Sequence, residues 1–258
     1  MSLPQPQRHD RAQQLLTLHA PNAPLVLPTV WDAWSAGIAE RAGFSALTVG
    51  SHPLADSRGQ KDGEGMSLGD ALDGVASIAR AVDVPVSADM ESGYDTGAEE
   101  LVHRLLEAGA VGLNIEDTVH SQGRLRSAQE HADYIGAIRQ AADEAGVHVV
   151  INGRTDVLKT QEHVGDRLDE VLTRLSLMEE AGADVLYPVG LPDVATLTTI
   201  LAGVSAPVNV TAHPVDGATP EGLGLEELAE LGVRRVTFGP LLQAALAEAT
   251  QEMLGRWS

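Results

Sequence analysis

One phrase recurs along this chain and limits what it can fold into: a helix end closed by Ala-Gly or Leu-Gly, one or two residues, and then a strand. It appears as Glu40-Arg41-Ala42-Gly43 before residues 46–49 and as Glu107-Ala108-Gly109 before residues 111–115. It returns as Glu180-Ala181-Gly182 before 184–187 and as Glu230-Leu231-Gly232 before 235–238. The glycine supplies the left-handed position that ends a helix, and the short loop after it feeds a strand buried on both faces. Further apolar runs at 25–30, 84–89, 148–152 and 207–211 read as strands. This gives eight strands, each followed by helical pattern, with the last helix at 241–254. Leu15, Leu16 and Leu18 predict a short leading helix at about 9–19, and Asp32 is placed to cap the helix after the first strand.

Eight such units in 258 residues fit a single α/β domain over 1–258, a (β/α)8 TIM-type barrel, for which about 250 residues is typical. A doubly wound sheet would want a G-x-G-x-x-G loop after its first strand, and none is there. Hydrophobic residues make up 43% of the chain but aromatics only 3%, so the core is expected to be Leu, Val, Ile and Ala.

In a barrel, reactive groups gather at the C-terminal ends of the strands. The second strand runs into Gly50-Ser51-His52 and a loop, 56–65, rich in glycine and charge. The third ends in Asp89 and Glu91, the fourth in Asn114, Glu116 and Asp117, the fifth in Asn152, Arg154 and Asp156, and the seventh in Asn209, Thr211 and His213. The sixth ends in Tyr187-Pro188-Val189, which reads as a wall. Asp89 and Glu91, two apart on a strand, would point to one face. Carboxylates held that close raise each other's pKa unless a cation sits between them, and a hard divalent ion, Mg²⁺ or Mn²⁺, is the natural one. The plainer alternative is a solvated acidic turn. Acids at three neighbouring strand ends weigh against it, because buried strands carry charge only with partners. Arg154 suits two-pronged recognition of a carboxylate, and its alternative is a structural ion pair with Asp156.

The formal net charge of −20 argues against nucleic acid and anionic membrane surfaces as partners. With no cysteine there is no disulfide, thiolate metal site or Cys nucleophile. No signal-peptide core is evident, and no apolar run reaches the roughly 18 residues of a membrane span, so a cytoplasmic location is expected.

Four motifs in order, Gly59-Gln60-Lys61-Asp62-Gly63, Asp89-x-Glu91-Ser92-Gly93-Tyr94, Asn114-Ile115-Glu116-Asp117 and Asn152-Gly153-Arg154-Thr155-Asp156, resemble the isocitrate lyase/phosphoenolpyruvate mutase superfamily. The resemblance extends from about Leu25 to the final helix. It implies a (β/α)8 barrel, assembled as a homotetramer (a dimer of dimers) with the last helix against a neighbouring subunit. It also implies Mg²⁺ (or Mn²⁺) held through a mostly water-filled shell by Asp62, Asp89, Glu91 and Glu116, with Asp89 the direct ligand. Arg154 matches the arginine that grips the substrate carboxylate and Ser51 a residue that helps hold it, so that Arg154, Ser51 and Glu116 are the catalytic candidates. The strand-end positions add His52, Asp89, Asn209 and His213 to the substrate-binding set.

The implied activity is cleavage of a C–C bond, by lyase or hydrolase chemistry, in a small anionic 2-oxo acid or dicarboxylate. Charge collects on the former keto oxygen as an enolate, which a Lewis acid stabilises. Two alternatives stay open: P–C bond chemistry on a phosphonopyruvate-like compound, and a relative that only binds a carboxylate. Superfamily lyases of isocitrate and methylisocitrate carry a K/R-x-C-G-H loop after the fourth strand. Here residues 116–126 read Glu-Asp-Thr-Val-His-Ser-Gln-Gly-Arg-Leu-Arg, without a cysteine and without the lysine and asparagine of the phosphonomutases. Those lyase activities are therefore not expected. His120 and Arg124 read as residues of a solvated loop, and Trp257 as an anchor for a subunit contact.

Overall fold

A computed structural model describes residues 4–19, 23–160, 165–218 and 222–257. Helix α1 (Gln5–Thr17) starts earlier than the leucine pattern predicts, because Pro4 and Pro6 suit a helix start, where a missing N–H costs nothing. Strands β1 (Leu25–Leu27) and β2 (Thr29–Val30) lie either side of Pro28, which cannot donate to a ladder. Helix α2 (Ala33–Arg41) follows, with Asp32 and Ser35 forming a reciprocal capping box. Then come β3 (Leu47–Val49), α3 (Ser51–Ser57), α4 (Leu68–Ala79), β4 (Val86–Asp89), α5 (Ala98–Ala108) and β5 (Gly112–Glu116). A small hairpin, β6 (Thr118–Val119) and β7 (Arg124–Leu125), leads into α6 (Ala128–Glu144). The chain continues through β8 (Val150–Thr155), α7 (Arg167–Glu180), β9 (Val185–Pro188) and α8 (Val194–Gly203). It closes with β10 (Asn209–His213), β11 (Gly217–Ala218), α9 (Leu225–Leu231), β12 (Arg235–Thr237) and α10 (Leu241–Leu254).

The four glycines of the recurring phrase behave as their position demands. Gly43, Gly109, Gly182 and Gly232 have φ of 95°, 93°, 100° and 103°, a left-handed backbone that other residues adopt only with strain.

Parallel pairing runs β2-β3-β4-β5-β8-β9 in one ladder and β1-β12-β10 in another. A parallel bridge between Leu186 and Val208 joins β9 to β10. Since β1 and β2 are two halves of one extended stretch, the pairing passes through eight strand positions and returns to its start. Strand β8 runs three residues beyond the predicted 148–152, because its ladder with β9 continues to Thr155↔Pro188.

The core is dominated by Leu, Val, Ile and Ala, joined by Met66, Met90, Met178 and Trp31. Ala12 and Leu15 of α1 are fully buried in it. At the opposite extreme, α10 buries none of its residues, and Leu246, Met253 and Leu254 on it and Trp257 just beyond it are exposed. Among the described residues no helix is long and apolar enough to cross a membrane.

Candidate active site

The C-terminal ends of β3, β4, β5 and β8 open onto a cavity of about 310 Å³. Its polar wall includes Ser51, Asp62, Asp89, Asn114, Arg154 and Lys159, and four threonines, Thr29, Thr48, Thr211 and Thr237, also face it. Tyr187 forms part of the lining, with its hydroxyl 2.6 Å from Thr211 Oγ1.

Asp89 is the last residue of β4. Its Oδ2 accepts a hydrogen bond from Ser51 Oγ at 3.1 Å, and Oδ1 accepts the Glu91 N–H at 3.2 Å. Burial pushes the Asp89 carboxyl above its ordinary value, and Asp62 pushes the same way. Asp62 itself sits at the cavity rim, half exposed, with His52 Nδ1 3.3 Å from its Oδ2.

Glu91 corrects the argument from strand periodicity. Strand β4 has ended by then, and Glu91 has a left-handed φ of 48°, so it does not share a pleat face with Asp89. Its side chain turns from the cavity toward Tyr94, whose hydroxyl donates to Oε1 at 2.9 Å, and toward the N–H of Glu64, which donates to Oε2. Glu64 reciprocates by accepting from Ser92 Oγ at 2.6 Å and the Tyr94 N–H at 2.7 Å. Glu64, Glu91, Tyr94 and Asp95 are the non-glycine residues with positive φ among those described, so the local strain is concentrated at this one corner. Burial first, and Asp89 second, raise the Glu91 carboxyl to about 7.

Glu116, at the end of β5, is buried and held from two sides: Arg154 Nη1 lies 2.5 Å from one oxygen and His120 Nε2 2.7 Å from the other. His120 is also 3.7 Å from Glu91. It is therefore part of the acid cluster and not a solvated loop residue, because the β6–β7 hairpin folds it back over Glu116. The hydrogen bond to Glu116 raises its pKa against the effect of burial. Arg124, by contrast, is an outer residue paired with Glu130 at 3.0 Å.

The fork of Arg154 is taken up within the protein. Nε and Nη2 are taken by Asp156, at 2.8 and 3.0 Å, which leaves Nη1 to reach Glu116, with Asp89 Oδ2 3.9 Å away. Of the two sequence-level readings of Arg154, the ion pair with Asp156 describes this guanidinium, and a single edge remains for a ligand.

Residues 15–256 match a family model described as phosphoenolpyruvate phosphomutase. The chain belongs to that family. It is 30% identical over 235 residues to the oxaloacetate decarboxylase of Ectopseudomonas mendocina, covering 88% of this chain and 77% of that one. It is also 30% identical over 222 residues to the 2-methylisocitrate lyase of Halalkalibacterium halodurans, covering 82% and 69%. A Burkholderia cenocepacia structure, provisionally assigned as a phosphonomutase, superposes with a TM-score of 0.86 at 38% identity, covering 95% of this chain and 99% of that one. Relatives of this phosphomutase-family chain thus carry the names of lyases, decarboxylases and mutases.

Two substrate contacts expected from their strand-end positions lie elsewhere. Asn209 is fully buried and pairs with Thr237 Oγ1 at 3.2 Å, because its register on β10 sets it two residues below Thr211, which does line the cavity. His213 Nδ1 accepts the N–H groups of Val215 and Asp216 and lies 2.9 Å from the Asp216 carboxylate, bracing the β10–β11 turn. Lys159 escaped the sequence reading. It follows β8 by four residues and lines the cavity with its side chain 60% exposed, so no periodicity marks it. Glu64 was likewise hidden in a charged loop, and only the fold brings it to Glu91.

Among the described residues no three His, Asp or Glu side chains already converge as a metal cage. The donor set nevertheless fits a hard divalent cation. Asp62, Asp89, Glu91 and Glu116 offer only oxygen, and burial together with mutual repulsion destabilises the ionised forms of Asp89 and Glu91. A cation reached mostly through water would relieve that penalty.

Proposed function

We propose that this phosphomutase-family chain is a Mg²⁺-dependent enzyme that breaks a C–C bond in a small 2-oxo acid or dicarboxylate, by lyase or hydrolase chemistry. The observation that carries the reading is the convergence of Ser51 Oγ, Asp89 and Arg154 Nη1 on one wall of the cavity. Asp89 would hold the metal directly, with Asp62, Glu91 and Glu116 acting through its water shell, and Mn²⁺ would serve by the same chemistry. The bound ion supplies Lewis-acid stabilisation of negative charge on the substrate's keto oxygen. Ser51 Oγ and Arg154 Nη1 orient the carboxylate, and the Thr211–Tyr187 hydroxyl pair forms part of the cavity wall. We take the ring of eight strand positions as a TIM-type barrel with this cavity at its C-terminal mouth.

The hairpin that replaces the cysteine loop supports this class over cleavage of isocitrate or methylisocitrate. None of its residues, 118–125, lines the cavity, so it places no acid there. The same absence of a lysine and an asparagine from the loop counts against phosphonomutase chemistry.

The test is a screen of oxaloacetate, alkylmalates and phosphonopyruvate with Mg²⁺, following pyruvate or oxalate release, on wild type and Asp89→Ala. Turnover of a C–C substrate that needs Mg²⁺ and vanishes in a folded Asp89→Ala is the expected result, with Mg²⁺ binding lost in calorimetry. Turnover of phosphonopyruvate alone would put P–C chemistry in its place. Tight binding with no turnover would leave a carboxylate-binding protein.

A further inference from the structure

Below the acid cluster, the interior of the ring holds a guanidinium with no carboxylate beside it. Arg235 of β12 is fully buried, and among the described residues no acid pairs with it. Burial lowers its pKa to about 9. Its Nη2 donates to Asn114 Oδ1 at 3.4 Å, while Nε and Nη1 have no hydrogen-bond partner among those residues. An unpaired buried cation is costly, so stability alone does not account for it.

Arginine offers only donors, so the amide atom that faces it must be the oxygen. This decides which way Asn114 points. Asn152 then turns its Nδ2 to the same oxygen at 2.7 Å, which leaves its own Oδ1 without a partner. Turning both amides over would leave Asn152 with an orphaned Nδ2 in place of its oxygen and also set an N–H of Asn114 against the guanidinium. The guanidinium below therefore sets the polarity of the pair.

Asn114 sits in register between Asp89 and Asn152, lines the cavity and is 6% exposed. With its oxygen held by two donors, its Nδ2–H is what the cavity receives. On this wall such a donor matters, since the fork of Arg154 is committed to Asp156 and Ser51 Oγ donates to Asp89. A neutral N–H also grips an anion without being neutralised by the surrounding acids.

We propose that Asn114 contacts the substrate, donating its amide N–H to an oxygen of the bound carboxylate or of the enolate formed from it, and that Arg235 is a positioning residue that sets the polarity of that amide. The ligand contact rests on the carboxylate-site reading above. The test is calorimetric titration of oxalate, a small dianion shaped like a 2-oxo carboxylate, at saturating Mg²⁺, with melting temperatures recorded alongside. Asn114→Ala should weaken oxalate by roughly 10- to 100-fold, the range for a hydrogen bond to a charged group. Asn114→Asp, isosteric but without an N–H, should bind more weakly still. Arg235→Met should weaken oxalate severalfold without lowering the melting temperature, because an apolar chain replaces an unpaired charge.

Oxalate binding in Asn114→Asp equal to or tighter than wild type would show the amide oxygen facing the cavity and overturn the proposal. Unchanged oxalate affinity in Arg235→Met would overturn the positioning role, and the two Asn114 variants decide the contact should that protein not fold. A wild-type chain that binds no oxalate would overturn the carboxylate site itself, a failure distinguishable from the other two.

Discussion

Arg154 joins the acid cluster to the strand framework, so its removal should be read in stability as well as in rate. Two of its donors hold Asp156 at 2.8 and 3.0 Å and a third lies 2.5 Å from Glu116, with the guanidinium itself nearly buried. Arg154→Ala would leave two buried carboxylates without their cation, which costs about 3–5 kcal/mol when one partner of a buried pair is deleted. Arg154→Lys keeps the charge but loses the fork, and a loss of about 1.5–3 kcal/mol follows from one missing charged hydrogen bond. Burial alone would raise the Asp156 carboxyl, yet Arg154 overcomes it and holds the group below its ordinary 3.8. A depressed folded pKa contributes stability that is present above the unfolded value and lost as pH falls through the folded one. The deficit of Arg154→Ala should therefore be full at neutral pH and shrink below about pH 4. Urea unfolding followed by circular dichroism between pH 3 and 8 measures it, with kinetics in parallel, where kcat should fall and KM rise in both variants. An Arg154→Ala midpoint equal to wild type at pH 7, with unchanged slope, would refute the bracing argument.

Glu91 gives the opposite pH signature. Its folded pKa is raised from 4.5 to about 7, so without metal the folded state should lose stability as pH rises from about 4.5 to about 7 and change little above. Glu91→Gln, measured by urea unfolding in EDTA, should remove that slope and gain about 3 kcal/mol at pH 8; a slope that persists in the variant assigns it to another group. Assembly is testable by light scattering. Exposure of Leu246, Met253, Leu254 and Trp257 on and just after a final helix with no buried residue fits a subunit contact there; for the proposed dimer of dimers the mass should approach four times 27.1 kDa, and a monomer mass would exclude it.

Much of this protein was legible in its residues alone. The helix-ending glycines, the eight strands and the acids at their ends all follow from local rules: a left-handed φ needs Gly, a strand buried on both faces reads as an apolar run, and charge is tolerated only where a strand emerges. What local rules could not supply is the direction of side chains after a strand has ended. Period-2 reasoning placed Glu91 beside Asp89, but a left-handed turn aimed it at Tyr94 and Glu64. Arg154 looked free to present a fork because nothing in sequence says whether a residue two positions on will claim it, and Asp156 does. His120 entered the cluster because a hairpin folded it back, and Asn209 left the cavity because register on β10 set it one layer too deep. Arg235 is the extreme case. It reads as one of two ordinary arginines opening a strand, and only closure of the ring around it makes it a buried cation against Asn114. Sequence determines which residues stand at strand ends, whereas partner choice among charged groups depends on distances between strands far apart in the chain, and those exist only once the ladder has formed.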